Sequence, residues 1–192
     1  MSEIVNWITD IVLWMCFGIK ELAVVLISMV PIIELRGAIP VGVNNFELGH
    51  WESFFLAFLG SSLVCIPLLL LLPWVFKWPL LRRVKQVFSQ KAEKISPKWK
   101  SFALFMIVAI PLPGTGVWTG SAVAVILGFK FWKAAGIIVA GNLVSGLAML
   151  GLTALLGDYL DLLLLGLFIA FVLLLAVFLY KVFKQKDSKN EI

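Results

Sequence analysis

A carboxylate and a guanidinium stand two residues apart inside an apolar stretch. Glu34 and Arg36 interrupt the segment 22–46. A charge at bilayer depth costs at least about 2.5–3.5 kcal/mol. Two charges there indicate either that they compensate each other or that they have a function. In the functional interpretation Glu34 takes up and releases a proton, while Arg36 either holds an anion or sets the affinity of that carboxylate. In the structural interpretation the two residues lock one segment to another.

A second apolar stretch, 101–129, is broken at its centre by residues that do not continue a helix. Pro111 and Pro113 lack the amide donor, and Gly114 and Gly116 have low helix propensity. Each flanking piece would be about 15–20 Å long, roughly half a bilayer. The pattern favours a re-entrant hairpin that turns at mid-depth; the alternative is one kinked helix that spans the membrane.

The half-helix that follows this break is a candidate anion site. Helix N-termini carry unpaired amides and partial positive charge, so the amides of 117–120 could hold a phosphate or a carboxylate. The hydroxyls of Thr115 and Thr119 stand next to these amides in the sequence. Trp118 either covers such a cavity or fills the core.

The amino-acid composition indicates that lipid surrounds these segments. The chain has 192 residues, of which 61% are hydrophobic and only 14% charged, and its mean hydropathy is +1.04. Soluble domains contain about 45–50% apolar and about 25% charged residues, whereas lipid tolerates the apolar excess. We therefore predict a single all-α integral membrane domain.

The net charge is +5, and its distribution favours a membrane over nucleic acid as the partner. Basic residues concentrate in the segment 77–100 and towards the end of the chain. The positive-inside rule places such segments in the cytoplasm. We predict a multi-pass protein of the cell (cytoplasmic) membrane, with the basic segment and the C-terminal tail cytoplasmic and with no nucleic-acid partner.

Three uncharged stretches have membrane-spanning length: 53–76, 134–157 and 162–180. Tryptophans flank the first of them, as expected of interfacial anchors. The N-terminal stretch 4–19 is short for a span, so it either crosses at a tilt or lies on the membrane surface. About four full spans are predicted.

The two broken stretches coincide when the chain is shifted by 80 residues, which places Pro31 on Pro111. With one gap, further pairs align: Trp51 with Trp132, Gly60 with Gly141, and Ser61 with Asn142. This ordered match indicates an internal duplication. Asn142 and Ser61 either line a cavity or allow two helices to pack closely.

Placing the basic segments in the cytoplasm makes the two halves inverted with respect to the membrane, as in many secondary transporters. Each half is then a re-entrant hairpin followed by a transmembrane helix. The predicted order is an N-terminal helix (4–19), repeat 1 (21–76), the basic segment (77–100), repeat 2 (101–157), a C-terminal span (158–181) and the tail (182–192).

The sequence contains no metal-ligand cluster, no nucleophile–base arrangement and no phosphate-loop motif. His50 is the single histidine and has no cysteine or histidine nearby. We therefore expect no enzymatic activity, no metal and no cofactor.

The segments 31–40 and 111–120 resemble the two signatures of the putative small multidrug export protein family. They read Pro-Ile-Ile-Glu-Leu-Arg-Gly-Ala-Ile-Pro and Pro-Leu-Pro-Gly-Thr-Gly-Val-Trp-Thr-Gly, and the resemblance covers about residues 20–157. The residues and the resemblance together give these candidates for proton and substrate binding: Glu34, Arg36, Pro31, Gly37, Pro40, Pro111, Pro113, Gly114, Thr115, Gly116, Trp118, Thr119, Gly120 and Asn142.

This family is similar in plan to the DedA (SNARE-associated, VTT-domain) membrane proteins. That similarity implies two re-entrant hairpins and the proton-coupled movement of lipid phosphates. It also implies a functional acidic residue in the first hairpin, and Glu34 matches it in placement. DedA proteins carry arginines in the second hairpin region, whereas 101–129 has none.

Three functional hypotheses follow. The first is a small secondary transporter that exports or flips an amphipathic or lipid-phosphate-like substrate with Glu34 as proton carrier. The second is a lipid scramblase without proton coupling, and the third is a non-transporting membrane scaffold. The expected partners are the lipid bilayer, the substrate and protons, and a homodimer is compatible with the small size of the chain.

Overall fold

The computed structural model describes residues 11–78 except 12 and 32, residues 95–157 except 113, and the isolated positions 82, 86, 89, 159, 166, 169 and 173. All regular elements in this part of the chain are helical. They are α1 (Lys20–Met29), α2 (Glu34–Pro40), a π-helical turn (Val41–Asn45), α3 (His50–Val75), α4 (Pro97–Ala109), α5 (Val117–Ile126) and α6 (Phe131–Leu156).

Several predicted segments lie partly or wholly outside the described residues. These are the N-terminal helix, much of the basic segment, the C-terminal span and the tail, that is 4–19, 77–100, 158–181 and 182–192. Their number of spans and their side of the membrane stay predictions.

Two of the described helices, α3 and α6, are long and apolar enough to cross a membrane. Each has 26 residues, or about 39 Å at 1.5 Å per residue, which exceeds the hydrocarbon core of about 30 Å. They correspond to the spans predicted at 53–76 and 134–157. Only 39% of the most apolar stretch of each helix is buried within the protein, so both helices present large apolar faces outwards.

The segment before α3 folds as two short helices, α1 and α2, which we call hairpin 1. Proline explains the break between them, because Pro31 disfavours helical geometry at the residue before it. Val30 is accordingly extended, with ψ 130°. The second arm ends at Pro40 and continues into the π-helical turn, after which Phe46 is buried.

The segment before α6 folds in the same way, as α4 and α5, which we call hairpin 2. Helix α4 begins with Pro97 after an N-cap serine, Ser96, whose side chain accepts the Trp99 amide. It ends at Ala109, just before Pro111. Helix α5 begins after Gly116, which has a φ of +131°. Glycine adopts this angle readily, whereas residues with a Cβ adopt it only with strain.

The packing of the helices repeats in the two halves. Each long helix packs against both short helices of its own half and against the second short helix of the other half. The two long helices also pack against each other. The buried apolar side chains form two clusters, one centred on hairpin 1 and one on hairpin 2.

A glycine marks the close approach of each long helix to the first short helix of its half. A Cβ on Gly60 of α3 would overlap Ser28 and the carbonyl of Val25 on α1. A Cβ on Gly141 of α6 would lie 2.9 Å from the Val108 Cβ and 3.0 Å from the Phe105 carbonyl oxygen on α4. The contacted residues are Val25 and Ser28 on α1, and Phe105 and Val108 on α4. The second pair lies 80 residues after the first in sequence, which is the shift of the predicted repeat.

Candidate functional site

The tips of the two hairpins meet at a buried ion pair. The Arg36 Nη1 donates to the Glu34 Oε2 at 2.9 Å. The two residues are only 3% and 5% exposed. Both belong to the first turn of α2, so hairpin 1 contributes both charges and hairpin 2 contributes the groups around them.

The guanidinium group binds the carbonyl end of α4. Its Nη2 donates to the carbonyl oxygens of Val108 and Ile110, at 3.1 Å each, and Nη1 also donates to the carbonyl of Thr115. The last carbonyls of a helix have no partner within it and carry partial negative charge. The planar guanidinium with its several donors therefore satisfies acceptors that the break in hairpin 2 leaves open.

The carboxylate binds the amide end of α5. Its Oε1 accepts the backbone amide of Trp118 at 3.2 Å, one residue into α5. A helix N-terminus favours an anion, and the sequence predicted an anion site at the amides of 117–120. In this structure Glu34 itself lies at the start of that amide group.

The fit between the two hairpins requires a glycine at position 116. A Cβ there would overlap the Glu34 Oε2 and the Arg36 Nη1. Gly116 is buried, and its backbone lies in a region that glycine adopts readily. Removal of this glycine would therefore separate the charged groups from hairpin 2.

The backbone of Glu34 is itself in an uncommon conformation, with φ +48°. Left-handed backbone costs a residue with a Cβ about 1–2 kcal/mol, and such residues persist where surrounding contacts hold them. The Glu34 amide donates to the Val30 carbonyl at 3.0 Å, which closes the tip of hairpin 1. The conformation directs the carboxylate towards hairpin 2.

A tryptophan completes the contact in the opposite direction. The Trp118 Nε1 of hairpin 2 donates to the carbonyl of Met29 at 3.2 Å, and Met29 is the last residue of α1. Each hairpin therefore supplies a side chain that satisfies the carbonyl end of the other hairpin's first helix. Trp118 is half-buried in this position, and its polar contact is one of the connections that the sequence did not predict.

The remaining candidates in hairpin 2 shape its tip. The Thr119 Oγ1 donates to the Gly114 carbonyl at 2.6 Å, and the Thr115 Oγ1 donates to the carbonyls of Ile110 and Leu112. Both hydroxyls therefore close the turn. Gly114 has φ +78°, while Pro111 is half-buried in the non-helical connection.

The other candidate residues do not bind the ion pair directly. Pro31 is exposed in the turn of hairpin 1, Gly37 and Pro40 lie within α2, and Gly120 is buried in α5. Pro113 is outside the described residues.

Asn142 belongs to a separate polar contact between the two long helices. Its side chain is fully buried, and its Nδ2 donates to the Ser61 Oγ at 2.8 Å and to the Ser62 Oγ at 3.1 Å. Asn142 and Ser61 are the positions that the repeat aligned, and here they bond to each other. Close helix packing is thus the role of this pair that the contacts favour.

Sequence reasoning did not find the carbonyl partners of Arg36 and Trp118. Every residue has a backbone carbonyl, so the residue types at Val108, Ile110 and Met29 do not indicate the contact. The one usable signal was the position of the breaks, since a helix that ends inside an apolar protein leaves acceptors that require donors.

Comparison with known proteins agrees with the two signatures. A family model described as "Putative small multi-drug export protein" matches residues 34–148, more than half of the chain. No curated protein and no solved structure matches the chain. The family description is that of a transporter rather than an enzyme, and together with the two long apolar helices it indicates a membrane protein. The chain belongs to the putative small multidrug export protein family.

Proposed function

We propose that the chain is a secondary transporter of the cell membrane in which Glu34 carries a proton. Arg36 and the amide end of α5 receive the anionic group of an amphipathic or lipid-phosphate-like substrate. The observation that carries the proposal is the buried Glu34 carboxylate, which bonds to both the guanidinium and the Trp118 amide. This carboxylate occupies the place that a substrate anion would take.

Protonation of Glu34 supplies the coupling. A neutral carboxyl group cannot form an ion pair with Arg36, and it is a weaker acceptor for the Trp118 amide. The guanidinium and the helix N-terminus then favour another anion. Proton uptake by Glu34 therefore raises the affinity of the site for an anion. By linkage, a bound anion raises the affinity of Glu34 for the proton by the same factor. Loss of the proton restores the carboxylate, which competes with the bound anion.

Access to the site from both sides would come from the arrangement of the hairpins. The short helices α1, α4 and α5 have 10, 13 and 10 residues, or about 15–20 Å, roughly half a bilayer. The repeated packing of the two halves supports an origin by duplication, and inversion of the halves gives the topology of an alternating-access carrier. In this proposal the hairpins enter from opposite faces and meet at Glu34 and Arg36.

Proteoliposomes test the role of Glu34 with a pH gradient and an amphipathic anion, fluorescently labelled phosphatidic acid. Proton entry is followed with an entrapped pH dye, and lipid movement with an external quencher. We expect Glu34→Gln to abolish gradient-driven movement while the protein remains folded, because glutamine can still accept the Trp118 amide. Glu52→Gln is the matched control, since Glu52 is an exposed carboxylate in the first turn of α3.

Full gradient-driven transport by Glu34→Gln would refute the proposal. Equal lipid movement by the parent protein with and without the gradient would indicate a scramblase instead. Absence of any movement, together with tolerance of substitutions at both Glu34 and Arg36, would indicate a scaffold.

A further inference from the structure

A basic cleft lies at the end of hairpin 2 that is remote from its tip. It has a volume of about 290 Å³ and is lined by Lys100 of α4, Lys130 and Lys133 at the start of α6, and the connection after α5, including Phe129. Lys100 lies 8 residues before Val108, whose carbonyl binds Arg36, so the cleft lies about 12 Å along α4 from the Glu34–Arg36 pair. It is therefore separate from the site proposed for transport.

The charges around this cleft are arranged against the usual preference of helix ends. The first turns of helices favour acidic residues because their amides carry partial positive charge. Neither α4 nor α6 has an acidic residue in its first turn, and the N-cap Lys130 of α6 provides no side-chain cap. Lysines and helix N-termini repel one another here, and an anion from outside the chain would relieve that repulsion.

Exposed tryptophans beside the cleft are residues expected at the depth of lipid headgroups. Trp99 and Trp132, each next to a lysine of the cleft in sequence, are 66% and 83% exposed. Tryptophan is enriched at membrane–water interfaces. Phe129 contributes an apolar wall, and the Lys133 Nζ lies 5.6 Å from the centroid of its ring, a cation–π distance.

We propose that this cleft binds the phosphate of an anionic phospholipid headgroup. Its volume suits a headgroup rather than a whole lipid, so the acyl chains would stay against the exposed apolar faces of the helices. Basic pockets between membrane helices bind such headgroups through the combined charge of their lysines. Since the cleft joins α4 to the start of α6 and to the connection that follows α5, a bound headgroup holds the base of hairpin 2 together. This inference does not depend on transport.

Native mass spectrometry of the full chain in a neutral detergent measures the proposed binding, with dioleoylphosphatidylglycerol as the probe and dioleoylphosphatidylcholine as the zwitterionic control. Each lysine is expected to contribute about fivefold to affinity, so Lys100→Gln, Lys130→Gln and Lys133→Gln together should weaken binding about a hundredfold. The matched charge control is Lys77→Gln, Arg82→Gln and Lys98→Gln, which lie outside the lining of the cleft. It should retain binding.

Two further variants keep the test decisive if the triple glutamine variant does not fold. The three Lys→Arg substitutions in the cleft keep the charge and should keep binding, while Lys133→Gln alone should weaken it about fivefold. The proposal is overturned if the control variant loses as much affinity as the cleft variant, or if phosphatidylcholine binds equally well. Displacement of the lipid by inorganic phosphate would also overturn it, because the cleft would then be a site for the free anion.

Discussion

Arg36→Met tests how the two hairpin tips are held together. Methionine keeps a long apolar side chain and removes every hydrogen-bond donor. The substitution leaves the buried Glu34 carboxylate without its charged partner, and it leaves the carbonyls of Val108, Ile110 and Thr115 without the guanidinium. The variant therefore removes the main polar link between hairpin 1 and the carbonyl end of α4.

The expected cost follows from these contacts. Hydrogen bonds between membrane helices contribute about 0.6 kcal/mol each on average, so three carbonyl contacts account for at least about 2 kcal/mol, since the guanidinium donor is charged. An unpaired buried charge supplies the rest, since removal of one partner of a buried ion pair costs about 3–5 kcal/mol in total. We expect the free energy of unfolding to fall by about 3–5 kcal/mol.

A double-mutant cycle with Glu34→Gln separates the ion pair from the carbonyl contacts. The double variant has no unpaired buried charge, so it should cost about 2–3 kcal/mol less than the sum of the single variants. The assay is equilibrium unfolding in mixed micelles with increasing SDS, followed by far-ultraviolet circular dichroism.

Lys20→Met provides the control, because the Lys20 Nζ donates to a single carbonyl, that of Phe46, at 2.9 Å. Its expected cost is about 0.5–1.5 kcal/mol. A cost of Arg36→Met no greater than that of this control would contradict the link between the hairpins. Additivity of the Glu34 and Arg36 effects to within about 0.5 kcal/mol would contradict the ion pair.

Two further predictions concern glycines and use the same unfolding assay. Gly116→Ala should destabilise the protein by about 2 kcal/mol or more through its strained φ and its overlap with the charged groups. Gly136→Ala, where a Cβ meets nothing within 4 Å, should be neutral or stabilising by up to about 1 kcal/mol. Equal changes in stability for Gly116→Ala and Gly136→Ala would contradict the requirement for glycine at the tip of hairpin 2. Gly60→Ala and Gly141→Ala should each cost about 1–3 kcal/mol, because each Cβ pushes a long helix away from its short neighbour. A large cost at only one of them would contradict the equivalence of the two halves.

The sequence alone predicted the parts of the fold that depend on solvent and on helix breaking. Uncharged runs of spanning length predicted α3 and α6. Hydrocarbon excludes charged side chains from such helices, however the helices pack against one another. Prolines and glycines predicted the break between α4 and α5, whereas in hairpin 1 the sequence predicted an interruption at Glu34 and Arg36, which the structure places in the first turn of α2. Glu34 and Arg36 stood out for the same reason, because the cost of a charge in an apolar stretch is visible in composition.

The tertiary structure decided which groups these residues meet. That the Glu34 carboxylate lies at the amide end of α5 and Arg36 at the carbonyl end of α4 depends on how the hairpins cross. The sequence left open whether Glu34 and Arg36 carry a proton and an anion or lock one segment to another. Only the packing shows that the Glu34 carboxylate accepts an amide of the predicted anion site. Backbone amides and carbonyls are identical along the chain, so only the packing of helices determines which of them become partners of a side chain.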